Sequence, residues 1–196
     1  MRFSPSVFVV TAAVLSASIA QAGLIDFVLV GPGDFSSYLE QGVTFTTAVP
    51  GGLITSQTFG VSPNGTFGLL GYVAGPNFQE LRADIAGGAA SVSIDIGDNG
   101  SDPDGLFLEI YNSANTLLNS TTLLTTAADR TMHTLSLSDP NIAYAVYGAR
   151  APSLQGSSVY TDNFAWTTAA ATPEPGTILL LAAGLAGIGL YRRRIA

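Results

Sequence analysis

The chain has 196 residues, with 14 acidic side chains against 7 arginines and no lysine, a formal net charge of −7, and no cysteine. An acidic surface of this kind repels nucleic-acid phosphates and anionic headgroups, which excludes nucleic acid as a direct partner of the folded part. The absence of thiols excludes disulfides, thiol nucleophiles and thiolate metal sites, so packing must hold the fold.

At the N-terminus Arg2 precedes an apolar stretch over residues 7–19, and Ala20-Gln21-Ala22 places small residues at the −3 and −1 positions of a signal-peptidase site. The pattern predicts a signal peptide over residues 1–22, removed by signal peptidase between Ala22 and Gly23. An uncleaved anchor is the weaker reading, because an apolar core of about 13 residues is short for a membrane span.

Residues 23–171 have the size of one domain able to bury its own core. Short alternating runs separated by Gly, Asn, Asp, Pro and Ser predict strands over residues 24–30, 43–48, 53–59, 66–73, 91–96, 106–111, 116–122, 132–138, 142–147 and 159–168. Alternation turns Val92, Ile94 and Ile96 to one face, and likewise Leu106, Leu108 and Ile110. The turn Asn112-Ser113-Ala114-Asn115 starts a hairpin return, and Leu135 and Leu137 point inward from the strand after it. The fold class expected is all-β: an antiparallel β-sandwich, jelly-roll-like, with no repeat of fixed period.

Residues 97–105 gather Asp98, Asp102 and Asp104 with Asn99, the hard oxygen donors that calcium prefers. The spacing fails as an EF-hand loop, since Gly100 falls at the first ligand position and Tyr111 at the twelfth, so a solvated turn is the plain reading. Asp162 shares a face with Phe164 and Trp166 by alternation, which predicts a buried carboxylate compensated by a cation or by backbone N–H groups. The competing reading puts Asp162 in a bulge or at the strand's wet entrance. With Asp98, Asp102, Asp104 and Asp162 as its candidate ligands, a structural calcium ion is the one cofactor the sequence suggests.

His133 is the only histidine; with no thiol and no acid beside it in sequence, it reads as a surface strand residue and not as part of a triad or zinc site. Trp166 and the tyrosines at 38, 72, 111, 144, 147 and 160 could stack on sugar rings, but in alternating strands such residues more often pack cross-strand. No phosphate loop or serine elbow is present, and no pair of carboxylates stands out as a glycosidase pair, so the expectation is that the chain is not an enzyme. Sequons at Asn64, Asn99 and Asn119 would permit glycan attachment.

The chain closes with Pro173-Glu174-Pro175, an apolar run over residues 177–191, and Arg192-Arg193-Arg194. The run predicts a transmembrane helix of about 22 Å, short against a hydrocarbon core of about 30 Å. The arginines resist translocation and mark the cytoplasmic end, giving an N-out, C-in topology. Apolar length and a basic end alone would suit a plain tail anchor. The three parts together, over residues 172–196, resemble the PEP-CTERM protein-sorting signal.

That resemblance implies exosortase as partner, cleavage near Pro173, Glu174 and Pro175, and transfer from a transient inner-membrane anchor to the cell surface or beyond in a Gram-negative-type envelope. By family analogy it also suggests a link to exopolysaccharide or biofilm. Gly42-Val43-Thr44-Phe45, the 106–111 strand with its hairpin, and Tyr160-Thr161-Asp162-Asn163-Phe164 look like galactose-binding-type jelly rolls. Such folds often hold carbohydrate on a face or in rim loops, and many hold calcium at one edge. The leading expectation is an exosortase-sorted surface or extracellular-matrix protein. The rivals are a carbohydrate-binding module delivered by the same route, with polysaccharide as partner, and a secreted hydrolase.

Overall fold

The computed structural model describes residues 21–28, 30–56, 68–73, 77–97, 103–150, 159–168 and 183–184. Twelve strands run β1 (Ala22–Ile25), β2 (Gly33–Phe35), β3 (Tyr38–Glu40), β4 (Val43–Thr47), β5 (Leu53–Ser56), β6 (Leu70–Val73), β7 (Asn77–Gln79), β8 (Leu81–Gly97), β9 (Gly105–Tyr111), β10 (Leu117–Leu124), β11 (Met132–Arg150) and β12 (Tyr160–Thr167). One eight-stranded sheet has the order β1-β12-β8-β11-β9-β10, with β4 on β8 and β3 on β4; β2-β5-β6-β7 form a second sheet. Every pairing is antiparallel.

The large sheet becomes a sandwich by bending along its two longest strands. The first half of β8 pairs with β4 and with the end of β11, while its second half pairs with β12 and the start of β11. Between the halves stand Gly87 and Gly88, both left-handed at φ 80° and 75°. This is a conformation that side-chain-bearing residues adopt only with strain. A Cβ on Gly88 would lie 2.9 Å from the carbonyl oxygen of Ile142. There β11 carries Pro140 and Asn141, and its register against β8 shifts on both sides of Ile142.

Bending brings β4 opposite β12, and the aromatic core shows the contact. Phe45 of β4 meets Phe164 of β12 edge-on at 5.3 Å between ring centroids, and Tyr147 of β11 lies 6.1 Å from Phe164. Val43, Phe45, Leu81, Ala83 and Ile85 from one half pack in one cluster with Val92, Ile94, Ile96, Phe164 and Trp166 from the other. The antiparallel β-sandwich expected from the sequence is the observed fold, and the inward faces of 92–96 and 106–110 are buried as alternation required.

The segmentation differs from the sequence expectation, first in β1, which ends at Ile25 where a strand over 24–30 was expected. Residues 132–138 and 142–147 belong to the single strand β11, and 91–96 is only the second half of β8. The sequence expectation left residues 74–90 and 139–141 without a strand; in the fold Gly87-Gly88 and Pro140-Asn141 bend a ladder that continues past them. The short strands β2, β3 and β7 carry too few residues to show a period. Residues 57–59 and 66–67 of two expected strands lie outside the described residues. The turn after β9 forms as expected: Asn112 Oδ1 accepts the N–H groups of Ala114 and Thr116 at 3.0 and 2.9 Å, and Asn115 is left-handed at φ 61°.

The chain enters and leaves the sandwich side by side. Gly23 lies opposite Trp166, and Gln21 and Thr168 exchange backbone and hydroxyl bonds, the shortest at 2.7 Å. All twelve strands fall in a compact unit, Ala20–Ala169. Of the other unit, Met1–Ile19 with Ala170–Ala196, only residues 183–184 are described, and these are helical. Among the described residues no helix is long and apolar enough to cross a membrane. The rest of the helix expected over 177–191, and residues 1–20 of the signal peptide, lie outside them.

Candidate functional site

Of the four carboxylates suggested as calcium ligands, only Asp104 and Asp162 are among the described residues. Asp98 and Asp102 lie outside those residues. Asp104 is fully buried at the start of β9, where its N–H donates to Thr125 Oγ1 at 2.9 Å and its carbonyl accepts the Thr125 N–H at 2.8 Å. Among the described residues no group of three or more histidines and carboxylates is placed to hold a metal ion.

Asp162 is buried, at 1% exposure, but not on the face that alternation assigned to it. It lies opposite Asp95 while Ala165 lies opposite Ser93, so two residues of β12 face one of β8. Asn163 sits in this bulge at φ 50°. Cross-strand partners share a face, so Asp162 goes with Asp95, away from Phe164 and Trp166. One inserted residue reverses the parity of everything before it, which counting by twos misses. The Asn163 N–H donates to Asp162 Oδ1 at 2.8 Å, and its amide donates to Asp95 Oδ2 at 2.8 Å.

His133 has an acid partner that adjacency in sequence did not reveal. Asp129, four residues earlier, places Oδ2 2.8 Å from Nε2, and Thr131 Oγ1 lies 3.2 Å from the same nitrogen. Bonds from Thr131 and His133 hold the Asp129 carboxyl below its ordinary pKa. Acid and hydroxyl share one ring nitrogen, whereas proton relay needs the acid on one nitrogen and the nucleophile on the other. The trio fastens the turn before β11.

The outer face of β8, β11 and β9 carries an aromatic and arginine cluster. Tyr111 and Tyr144, directly opposite in register, stack with centroids 4.9 Å apart and planes 5° from parallel. The Arg82 guanidinium lies 3.6 Å from the Tyr144 ring centre and grips Asp84 through two bonds of 2.8 and 2.6 Å. Arg150 lies 3.7 Å from the centre of Phe107 and bonds both Glu80, at 2.7 Å, and Glu109, at 2.5 Å. Burial raises the Glu109 pKa, but the bonds from Arg150 and Tyr111 outweigh it and hold the carboxyl below its usual range. Burial first, then the bond to Glu109, pushes the Tyr111 phenol up to about 12.

A sugar platform needs an open ring face. Here Tyr144 is sandwiched between Tyr111 and Arg82, and Phe107 lies beneath Arg150, so these rings serve as packing. Trp166, Tyr147 and Tyr160 are buried too. The cross-strand reading of the tyrosines therefore holds for the Tyr111–Tyr144 pair.

At the bend of the sheet lies a cleft of about 620 Å³, lined by Gly87, Gly88, Asn112, Ser113, Asn141 and Thr168 together with aliphatic residues. Among the described residues no ionisable side chain lines it, in a chain of net charge −7. What it presents is glycine backbone, amides and hydroxyls, which bind by neutral hydrogen bonding.

These features define an antiparallel β-sandwich built on one bent eight-stranded sheet with a second, four-stranded sheet beside it in the fold, its first and last strands paired, and followed in sequence by a tail. That tail is specific: residues 171–194 match the PEP-CTERM protein-sorting motif. The chain carries this signal, which marks it for export to the cell surface through the membrane-associated exosortase pathway. No curated protein matches the sequence.

Among solved structures, the chain is similar to the carbohydrate-binding module CBM29_1 of Piromyces equi, with 8% identity, 76% of this chain and 91% of that chain covered, and a TM-score of 0.45. It is also similar to the K2 cleaved adhesin domain of Lys-gingipain, with 14% identity, 76% and 100% covered, and a TM-score of 0.49. The CBM22-1 and GH10 modules of Clostridium thermocellum xylanase 10B match with 13% identity and a TM-score of 0.46, over 76% of this chain and 28% of that longer one. Nothing about this chain's ligand follows from similarity at this level.

Proposed function

We propose that the protein is a component of the cell surface or extracellular matrix, delivered by exosortase, whose β-sandwich has a binding or scaffolding role in exopolysaccharide and no catalytic one. The observation that carries this reading is the division of the chain: the sorting motif at 171–194 begins after β12 has ended at Thr167. A cut near Pro173-Glu174-Pro175 removes none of the twelve strands. Before the cut, the helix over 177–191 holds the chain N-out with Arg192, Arg193 and Arg194 in the cytoplasm.

The test is the intact mass of the protein recovered from cells with and without exosortase. Loss of the tail near residues 173–175 only when the enzyme is present supports the proposal. An identical mass retaining the tail in both reduces the segment to a plain membrane anchor.

The uncharged cleft beside Gly87 and Gly88 favours a second reading, a saccharide-binding module carried by the same route. A neutral polyhydroxyl chain matches amides, hydroxyls and glycine backbone without a charge to neutralise. Calorimetric titration of the released protein with fragments of the producer's own exopolysaccharide tests it. Binding weakened by Asn141→Ala, with tail processing unchanged, supports the reading; absence of binding to wild type rejects it.

A further inference from the structure

The longest sheet edge in the described part of the molecule is unprotected. β10 is the terminal strand of the eight-stranded sheet and pairs, among the described residues, only with β9. It has eight residues, whereas the other terminal strands β1 and β3 have four and three. Edge strands are ordinarily blunted by charge, by proline or by shortness, because their backbone groups would otherwise template another chain. β10 reads Leu-Leu-Asn-Ser-Thr-Thr-Leu-Leu, with no charge and no proline, and no charged residue occurs between Glu109 and Asp129. Three of its leucines face solvent: Leu117 at 48%, Leu123 at 36% and Leu124 at 66% exposure.

The sequence of this edge identifies its occupant. Leu117-Leu118 at one end and Leu123-Leu124 at the other flank a hydroxyl and amide centre, so the strand has the same character read in either direction. An antiparallel partner related by a two-fold axis beside Ser120 sets Leu117 against Leu123 and Asn119 against Thr121, and one beside Thr121 sets Leu118 against Leu124 and Ser120 against Thr122. Charge points the same way. Two copies of a chain with net charge −7 repel each other over most of their surfaces, and an eight-residue edge free of charge lets them approach.

We propose that β10 is a self-association edge. Two copies pair their β10 strands antiparallel across a two-fold axis beside Ser120 or Thr121, joining the two large sheets into one that runs through both molecules. Such a contact is isologous and closes at two copies, giving a dimer and not a fibre. The register shift between Leu117 and Asn119 leaves residues 119–124 as the regular stretch, which places the axis within it or at its margin.

The test uses protein recovered from the producing cells. Light scattering and sedimentation across a concentration series should show a monomer–dimer equilibrium. The double variant Ser120→Lys, Thr122→Lys, which sets like charges across the axis, should weaken the dimer by at least about tenfold. The chain has no cysteine, so Ser120→Cys and Thr121→Cys, near-isosteric changes that keep the fold, report the geometry directly. With oxidised glutathione, one of them should form an intermolecular disulfide efficiently, and Ser113→Cys in the preceding turn should not. A monomer at every concentration overturns the proposal. So does lysine-variant dimerisation at wild-type strength, or cross-linking at 113 as efficient as at 120 and 121.

Discussion

If the two halves of the bent sheet form one core, Phe164 is its clamp. The residue is fully buried and touches three rings: Phe45 at 5.3 Å, Tyr147 at 6.1 Å and Trp166 at 6.1 Å. Phe164→Ala removes a large apolar side chain and leaves a cavity, a change costing about 3–5 kcal/mol in well-packed cores. Against a typical domain stability of about 5–15 kcal/mol, that is a large share. At about 2–4 °C per kcal/mol for a domain of this size, the melting temperature should fall by roughly 6–20 °C. Leu39→Ala, at a position 68% exposed, should stay within about 0.5 kcal/mol of wild type.

The decisive measurement is the double-mutant cycle with Phe45→Ala. Phe45 lies on β4 and Phe164 on β12, strands that share no hydrogen-bonded ladder and meet only because the sheet folds over. Urea unfolding of the four proteins should give a coupling energy of about 0.5–1.5 kcal/mol, the range for an edge-on aromatic pair. Additive effects, or a Phe164→Ala cost under about 1 kcal/mol, would refute the reasoning that the layers share one core.

Gly88→Ala should destabilise by about 1–3 kcal/mol in urea melts, since it combines a left-handed φ of 75° with a Cβ 2.9 Å from the Ile142 carbonyl; Gly51→Ala, at φ 85° with open space around it, should cost less. Glu109 has a folded pKa below its ordinary 4.5, so its contribution is complete above about 4.5 and is lost as the pH falls through the lower folded value. Glu109→Gln should therefore flatten the acid limb of the stability profile below pH 4.5, and a limb of unchanged steepness would contradict the Arg150 and Tyr111 bonds. Replacing Arg192, Arg193 and Arg194 by serine should disturb sorting by removing the cytoplasmic anchor, read as loss of surface-exposed protein in fractionated cells. Unchanged surface delivery would sink that reading.

The address of this protein is written in contiguous sequence. Pro173-Glu174-Pro175, the apolar run and the arginine cluster are legible without a fold, because a sorting motif is a short linear segment. The β class is equally local: alternation at 92–96 and 106–110 follows from the two-residue period of a strand with one face buried. The turn at 112–115 was readable because Asn112 folds its side chain onto its own backbone.

Only the tertiary structure decided which breaks were turns and which were bends. Gly87-Gly88 and Pro140-Asn141 fall in stretches that local pattern left without a strand, yet they lie opposite each other and together fold a continuous ladder into two layers. It also decided the face of Asp162, through one bulge at Asn163. The partner of His133 and the arginines capping Phe107 and Tyr144 emerged in the same way. Each depends on a register between segments distant in sequence or on a turn that brings near neighbours together, and register is set by the closing of the whole core, which no local pattern encodes.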